Sequence, residues 1–370
     1  MIIKNALVYG ADFEPCKTDI EIENGIIKNI GKTDSDGLDF SGCVALPGFI
    51  DIHIHGCNMA DATDCNPDSA AKMSKWLATQ GITSFCPTTM TLPVETLRKC
   101  FGYISDTMGK EEGAYIHGIN MEGPFIAPEK KGAQDAAHIL APDYEVFDEL
   151  NSICPVKLVD IAPEQNGAED FIKKAKEVCT VSAAHTTANY EQGKKAIDSG
   201  VSHATHLYNA MNGLTSREAG MVGAVLDSDG VTAELICDGI HICPATLRIT
   251  FKALGEDRTV VISDAMMAAG LDAGEYTLGG QRVIKTDAAR LPDGTLAGSA
   301  TNLFEEFQNL LSFGIPVKQA IKSVTINPAK AIGVNKITGS IESGKNADLL
   351  ILSDDFKEIK AVFVKGKRLV

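Results

Sequence analysis

The sequence predicts an α/β protein, a closed (β/α)8 TIM barrel with a small β-sandwich domain formed from both chain termini. In the middle of the chain, eight short β-branched runs recur about 20 to 40 residues apart, with helical stretches between them. This spacing is typical of βα units, and apolar strands separated by helices indicate a parallel sheet covered on both faces. Eight such units favour a barrel over an open sheet. No GxGxxG motif follows the first run, which disfavours a dinucleotide-binding fold.

The two ends of the chain instead contain short alternating segments. Residues 2–8, 19–22 and 25–30 alternate near the N-terminus, with an Asn24-Gly25 turn that predicts a hairpin. Residues 347–352 and 361–364 follow the same pattern near the C-terminus. We therefore predict one small domain from residues 1–47 plus 335–370, the alternative being two unrelated edge hairpins.

The remaining segment, residues 48–334, is the predicted barrel domain. Its eight strands are expected at residues 49–53, 82–86, 115–120, 156–161, 178–183, 201–205, 231–237 and 259–263. In such barrels the functional residues gather at the carboxyl ends of the strands. The side chains at these ends are therefore the first candidates for chemistry.

Composition narrows the classes of function. The 370 residues include 34 basic and 49 acidic side chains, a net charge of −15, which makes nucleic acid a poor partner. No apolar run has the length of a membrane helix, and the N-terminal residues lack a secretory pattern. The ten cysteines contain no CxxC pair. We expect a cytoplasmic protein with reduced thiols and no membrane contact.

Metal-capable side chains stand at most of the predicted strand ends. His53 and His55 are two residues apart on the first strand, so their side chains share one face and both can bind one cation. Glu122 follows the third strand and precedes Gly123 and Pro124 rather than a helical pattern. Its two oxygens could bridge two cations.

Three further candidates close later strands. His185 and His206 are 21 residues apart, the length of one βα unit, and Asp264 ends the eighth strand. An aspartate at that position can ligate a metal and also transfer a proton. A lone histidine there is more often a structural residue, but two in register with His53 and His55 favour a metal site.

Several motifs resemble the amidohydrolase superfamily and, within it, the N-acetylglucosamine-6-phosphate deacetylases. The superfamily pattern is PGFIDIHIH at residues 47–55 together with the strand-eight aspartate. The more restrictive segments are MEGPF at 121–125, KGAQ at 131–134, ATHLYNAM at 204–211, DGIH at 238–241 and LAGS at 296–299. The resemblance runs in order from about residue 40 to the C-terminus.

The resemblance implies a divalent metal centre with one or two ions per subunit. Histidine and carboxylate ligands accept zinc, iron, manganese or cobalt, so the ligand set alone does not select the metal. The resemblance implies metal ligation by Glu122, His185 and His206, and a second metal position formed by His53, His55, Glu122 and Asp264. It also implies that Asp264 is the catalytic acid and base.

The same resemblance implies the substrate contacts. The phosphate site would consist of Arg217 and His241, and the closing loop of Leu296, Ala297, Gly298 and Ser299. The remaining contacts would come from Asn209, Ala210, the backbone near Ala133 and the side chain of Gln134. Some relatives have a histidine where Gln134 stands, so its part in polarising a carbonyl stays open. The resemblance also implies a homodimer, in which Arg217 reaches the site of the neighbouring subunit.

The expected activity is hydrolysis of the acetamide of N-acetylglucosamine 6-phosphate to glucosamine 6-phosphate and acetate, and the expected partner is that small phosphorylated amino sugar. The alternatives are another amidohydrolase, such as an N-acetylgalactosamine-6-phosphate deacetylase or a cyclic amidase, and a non-catalytic barrel. A non-catalytic relative would lack metal ligands, whereas every expected ligand is present.

Overall fold

The computed structural model describes all 370 residues and begins with five strands, of which the first three pair antiparallel in sequence order and the last two pair parallel with the first. The predicted hairpin is present, with Asn24 and Gly25 as a two-residue turn at positive φ, the conformation for which this dipeptide is favoured. The N-terminal strands are β1 (Ile2–Tyr9), β2 (Pro15–Glu23), β3 (Ile26–Ile30), β4 (Leu38–Asp39) and β5 (Cys43–Pro47).

Each of the eight runs predicted in the middle of the chain contributes to a parallel strand, and a short antiparallel pair of strands follows the first run. The third run is divided in two at Gly118, whose φ of 145° is outside the strand range. The strands from this region are β6 (Phe49–Ile54), β7 (Gly56–Cys57), β8 (Ala60–Asp61), β9 (Ile82–Pro87), β10 (Tyr115–Ile116), β11 (Ile119–Met121), β12 (Val156–Ile161), β13 (Thr180–Ala183), β14 (His203–Ala204), β15 (Thr232–Ile236) and β16 (Thr259–Ile262).

The parallel strands follow one another around a ring. One sheet has the order β10-β9-β6 and another the order β11-β12-β13-β14-β15-β16. A parallel bridge between Thr88 and Asn120 joins the two sheets on one side. On the other side, the Asp264 amide donates to the His53 carbonyl at 3.0 Å, which connects the last strand to the first.

Helices cover the outer faces of these strands, and one of them closes the end of the barrel where the strands begin. The helices are α1 (Ser69–Thr79), α2 (Val94–Thr107), α3 (Tyr144–Ile153), α4 (Ala168–Ala175), α5 (Tyr190–Ser199), α6 (Gly220–Leu226), α7 (Pro244–Arg258), α8 (Leu303–Ser312), α9 (Val317–Val324) and α10 (Ile326–Ala331). At that amino end, Asn327 of α10 donates to the carbonyl of Thr259, the first residue of β16. Ala329 packs with strand residues Ile50 and Val260 in one buried apolar cluster.

A small antiparallel sheet between β16 and α8 was not predicted. It consists of β17 (Gly274–Leu278), β18 (Gln281–Lys285) and β19 (Ala289–Arg290). Its apolar residues, including Leu278 and Val283, pack with Met266 and Ala297 in a separate cluster. The sheet therefore lies beside the LAGS segment at the carboxyl end of the barrel.

The two chain termini meet in one hydrogen-bonded sheet of eight strands. The C-terminal strands are β20 (Leu349–Ser353), β21 (Ile359–Val364) and β22 (Lys367–Arg368). Strand β20 pairs antiparallel with β5 over five residue pairs, so strands from both termini share this sheet. Fourteen buried apolar residues from both termini form its core, among them Ile20, Ile351 and Phe363. That this sheet folds over into a sandwich stays a prediction.

None of the ten helices has both the length and the apolar character needed to cross a membrane.

Candidate metal centre and substrate cavity

Six buried side chains converge at the carboxyl ends of the barrel strands. They fall into two groups of three whose ligand atoms lie within 4.8 Å of one another. The first group is Glu122, His185 and His206, and the second is His53, His55 and Asp264. All six were expected from the sequence, and the fold brings all six together.

Glu122 joins the two groups. Its Oε1 lies 3.0 Å from the Nε2 atoms of both His185 and His206, and 3.7 Å from Nε2 of His53. Its Oε2 lies 3.4 Å from Nε2 of His55. The carboxylate therefore faces four imidazoles, two from each group, which is the placement that a bridging ligand requires.

Asp264 completes the second group from the opposite side. Its Oδ1 lies 3.2 Å from Nε2 of His55 and 3.5 Å from Nε2 of His53. The Nε2 atom of His53 is buried and has no hydrogen-bond partner within the protein. An unpartnered buried nitrogen between two carboxylates is costly unless it binds something, so this donor set fits a divalent cation.

Strained backbone directs three of these side chains. His185, His206 and Asp264 follow β13, β14 and β16, and their φ angles are 43°, 28° and 48°. Residues other than glycine seldom adopt positive φ, and such strain is concentrated at functional sites. Each strand thus ends in a left-handed residue, which turns the side chain towards the centre of the ring.

Contacts behind the imidazoles determine how they are oriented. Nδ1 of His185 lies 2.7 Å from the Lys130 carbonyl oxygen, and Nδ1 of His53 lies 3.0 Å from Oε2 of Glu234. Glu234 is completely buried and also lies 3.2 Å from Nε2 of His203. A carboxylate or carbonyl behind a histidine selects the tautomer whose Nε2 is free to bind a metal.

The two carboxylates of the site are ionised. Burial acts to raise the pKa of Glu122, but hydrogen bonds with His185 and His206 outweigh burial and hold that pKa well below its usual range. Burial also acts to raise the pKa of Asp264, but the hydrogen bond with His55 and the nearby histidines outweigh it. The pKa of Asp264 is therefore lowered. Negative charge on both residues suits the binding of a divalent cation.

A cavity of about 430 Å³ opens in front of the six side chains. It is lined by most of the residues expected to contact substrate: Ala133, Gln134, Asn209, Ala210, His241, Leu296 and Gly298. The Gly298 φ of 62° and its closeness to Asp264 leave no room for a side chain, because a Cβ there would lie 2.8 Å from the Asp264 carbonyl oxygen. This close approach places the LAGS segment directly against Asp264.

Comparison with known proteins agrees with this geometry. A model of the amidohydrolase family matches residues 44–369. The chain belongs to the amidohydrolase family.

Relatives of this amidohydrolase with more specific names cover most of its length. It is 37% identical over 328 residues to an N-acetylglucosamine-6-phosphate deacetylase from Bacillus subtilis, a match that covers 86% of this chain and 83% of the relative. It is 31% identical over 354 residues to an N-acetylgalactosamine-6-phosphate deacetylase from Escherichia coli O157:H7, covering 94% and 93% of the two chains. The crystal structure of an N-acetylglucosamine-6-phosphate deacetylase from Thermotoga maritima superimposes with a TM-score of 0.92 at 31% identity, over 100% of this chain and 99% of that one.

Three of the expected substrate residues of this amidohydrolase do not line the cavity. Arg217 is exposed in the loop between β14 and α6. Ala297 and Ser299 are buried, and the Ser299 hydroxyl donates to the Ser263 carbonyl at 2.5 Å. Ala297 and Ser299 are therefore the buried residues of the LAGS segment, and they stabilise it on the side away from the cavity.

Gln134 has a defined position. Its Nε2 donates to Oε2 of Glu122 at 2.5 Å, and its Oε1 accepts from the Thr91 amide at 2.6 Å. Because the Thr91 contact identifies Oε1 as the acceptor, the amide group must present its nitrogen to Glu122. Gln134 thus orients the carboxylate that joins the two groups.

Sequence reasoning missed several residues of the site. Lys130 and Arg290 line the cavity and add positive charge to it, and Glu234 lies behind His53. Arg290 belongs to the small sheet that was not predicted, so no strand-end rule pointed to it. Glu234 lies inside its strand, and only the alternation of β15 could have indicated that it faces His53.

Proposed function

We propose that this amidohydrolase removes the acetyl group of N-acetylglucosamine 6-phosphate and so forms glucosamine 6-phosphate and acetate in amino-sugar catabolism. The observation that carries the proposal is the position of the Glu122 carboxylate, which faces both groups of histidines beside the cavity. Curated relatives named for this activity, similar over most of the chain, support the choice of substrate.

Divalent metal would be held by Glu122, His185 and His206 at one position. A second position would use His53, His55 and Asp264, with Glu122 shared. The unpartnered Nε2 of His53 supports the fit of the second position. When bound, such a cation acts as a Lewis acid that activates water and polarises a carbonyl. Zinc, iron, manganese and cobalt all accept this ligand set.

Asp264 is placed to transfer the proton. Its lowered pKa keeps the carboxylate ionised at neutral pH, so it can accept a proton from the attacking water molecule. An amine leaves an amide only when its nitrogen is protonated. Asp264 would therefore return the same proton to the nitrogen as the C–N bond breaks.

Substrate binding would use the residues around the cavity. His241 is held by Asp238, whose Oδ2 lies 2.7 Å from Nδ1, so its other nitrogen is left for a ligand. We assign the 6-phosphate to His241, and Lys130 and Arg290 supply further positive charge near it. Asn209 and Ala210 would contact the sugar, and the LAGS segment would close over it.

Arg217 is proposed to bind phosphate in the neighbouring subunit of a homodimer. It is exposed and does not line the cavity of its own chain. A planar guanidinium suits bidentate contact with phosphate, and a strongly acidic chain needs local cations to attract a dianion. We also propose the domain division given above, residues 1–47 plus 335–370 and residues 48–334, and a cytoplasmic location.

Acetate release from three substrates tests the function. N-acetylglucosamine 6-phosphate, N-acetylgalactosamine 6-phosphate and free N-acetylglucosamine should be compared with the metal content of the same preparation. We expect the glucosamine phosphate to have the highest kcat/KM. A higher value for the galactosamine phosphate would favour the alternative deacetylase, and no acetate from any of them with metal bound would contradict the proposal.

A further inference from the structure

Two cysteines outside the metal centre lie in contact with each other. Sγ of Cys65 is 3.6 Å from Sγ of Cys100, although the residues are 35 positions apart in the sequence. Cys65 is exposed in the loop between β8 and α1, and Cys100 is buried in α2. A disulfide requires a sulfur separation of about 2.05 Å, so closing this pair needs a movement of roughly 1.5 Å.

We propose that Cys65 and Cys100 are a reversible thiol modification site, at which a hydroperoxide joins them in a disulfide. Cys65 is exposed and can react with the oxidant, and the buried Cys100 lies in contact with it. This arrangement of an accessible cysteine next to a second, resolving one is characteristic of reversible thiol oxidation. In a reducing compartment, such pairs are transient and respond to the redox state.

The chemistry balances without any further reactant. The Cys65 thiolate attacks one peroxide oxygen, an S–O bond forms, the O–O bond breaks, and the other oxygen leaves as water after taking the thiol proton. Sγ of Cys100 then attacks the sulfur of the Cys65 sulfenic acid, an S–S bond forms, the S–O bond breaks, and the departing oxygen takes the Cys100 thiol proton and leaves as a second water. Two thiols are oxidised, and one hydrogen peroxide is reduced to two waters.

The other cysteines lack such a partner. Cys16 and Cys243 are exposed, but neither thiol lies against a second one, and Cys243 contacts the hydroxyl of Thr246. The sulfur of Cys154 contacts the thioether of Met108 instead. Peroxide at these residues would therefore stop at sulfenic acid or pass to higher oxidation states.

The disulfide would tether the segment that follows the first metal strand. The His55 carbonyl accepts from the Ala62 amide at 2.8 Å, and Asp64 in turn accepts from the Ser69 hydroxyl at 2.6 Å. Cys65 lies inside this hydrogen-bonded loop, where its φ of 54° is strained. Oxidation would fasten the loop to α2 across a closure of 35 residues.

Peptide mapping tests the pair directly. The purified holoprotein is treated with hydrogen peroxide, quenched with catalase, alkylated, and digested with trypsin without reduction. We expect a disulfide-linked pair of peptides in which one begins at Cys100, and its loss after treatment with dithiothreitol. The thermal midpoint of the oxidised protein should rise by roughly 5 °C, because the cross-link restricts the unfolded chain.

Cys65→Ser is the decisive variant, because its side chain is exposed and the change is compatible with the fold. It should abolish both the linked peptides and the rise in the midpoint. The matched control, Cys16→Ser, removes another exposed thiol and should leave both intact. Linked peptides that persist in Cys65→Ser, or free thiols at both positions after peroxide treatment of the unaltered protein, would overturn the proposal.

Discussion

Histidines at the two ends of the barrel have opposite surroundings. At the carboxyl ends of the strands, His53, His55, His185 and His206 lie against the carboxylates of Glu122 and Asp264. His117, which follows the first segment of the third strand, contacts only the hydroxyl of Ser84 through its ring nitrogens.

The pKa values of His117 and His206 shift in opposite directions because of these neighbours. Burial and the nearby positive charges of Lys157 and Lys365 lower the pKa of His117 to about 3, so it stays neutral. The pKa of His206 is raised, because the Glu122 carboxylate outweighs the effect of burial. A histidine in contact with a carboxylate therefore differs in its pKa from a buried histidine that has only a hydroxyl beside it.

The largest effect is expected at Asp264, the residue proposed to transfer the proton. Asp264→Asn should retain fold and metal but lower kcat by about 10²–10⁴-fold, the usual contribution of a general acid or base. Acetate release measures it. A matched control at the opposite end is Asp348→Asn, which removes another buried carboxylate, one that contacts Tyr115 and Thr338. That variant should lower stability and leave kcat unchanged, and a loss below tenfold in Asp264→Asn would exclude its catalytic role.

Next in size is the loss of metal after Glu122→Gln. This substitution should lower metal content more than a change at any single histidine, since Glu122 alone faces both groups. Elemental analysis of the purified variants gives metal per chain. The binuclear part of the prediction would fail if the unaltered protein held one metal that changes at His53 and His55 did not affect.

A smaller and more selective effect is expected behind His53. Glu234→Gln removes the charge that orients this imidazole, and losses of such partners typically cost about 10–100-fold in metal affinity. The metal at His53 and His55 should be lost first during dialysis against a chelator. Asp160→Asn is the control, since Asp160 is also buried but bonds only to Thr205. Equal loss of both metals would show that Glu234 supports the fold and not one position.

Arg217→Ala tests whether the carboxyl end is complete within one chain. We expect a loss of about 10–100-fold in kcat/KM for the phosphorylated sugar, because charged hydrogen bonds contribute roughly 1.5–3 kcal/mol each. The free sugar should be almost unaffected. Arg98→Ala, which removes a partly exposed arginine paired with Glu149, is the control. Equal losses on both substrates would mean that Arg217 has a structural role.

The smallest effect is expected for His117, at the end of the barrel opposite the metal centre, and it concerns the pH dependence of stability. Because the folded pKa of His117 is about 3 and the unfolded value is near 6.5, only the unfolded state binds this proton between those values. The free energy of unfolding therefore decreases as the pH falls from about 6.5 towards 3, and His117 contributes up to roughly 1.4 kcal/mol of this decrease per pH unit. His117→Gln should flatten the pH dependence of urea unfolding between pH 6 and 5, and an unchanged slope would contradict the assignment.

Much of this architecture could be predicted because it is local in sequence. Each barrel strand is an apolar run, and His185, His206 and Asp264 each follow such a run, so the strand-end rule was enough to gather them. The Asn24-Gly25 turn was likewise predictable from two residues. These features depend on neighbours along the chain.

The parts that escaped prediction depend on distant partners. The side chains of strand β17 alternate between exposed and partly or fully buried. The apolar cluster beneath this strand includes Met266 and Ala297, which come from other segments of the chain. The contact of Gln134 with Glu122 and Thr91 joins segments up to 43 residues apart. A single sequence contains no local signal for such pairs.

The pairing of β5 with β20 has a consequence for synthesis of the chain on the ribosome. Residues 43–47 emerge early, but the strand that completes their hydrogen bonding begins at Leu349, about 300 residues later. At roughly 5–20 residues per second, β5 would wait some 15 to 60 s with one edge open. The barrel between them can fold during that interval. The terminal sheet is therefore the last part of the nascent protein to close, and its β5 edge is the surface that a chaperone would have reason to cover.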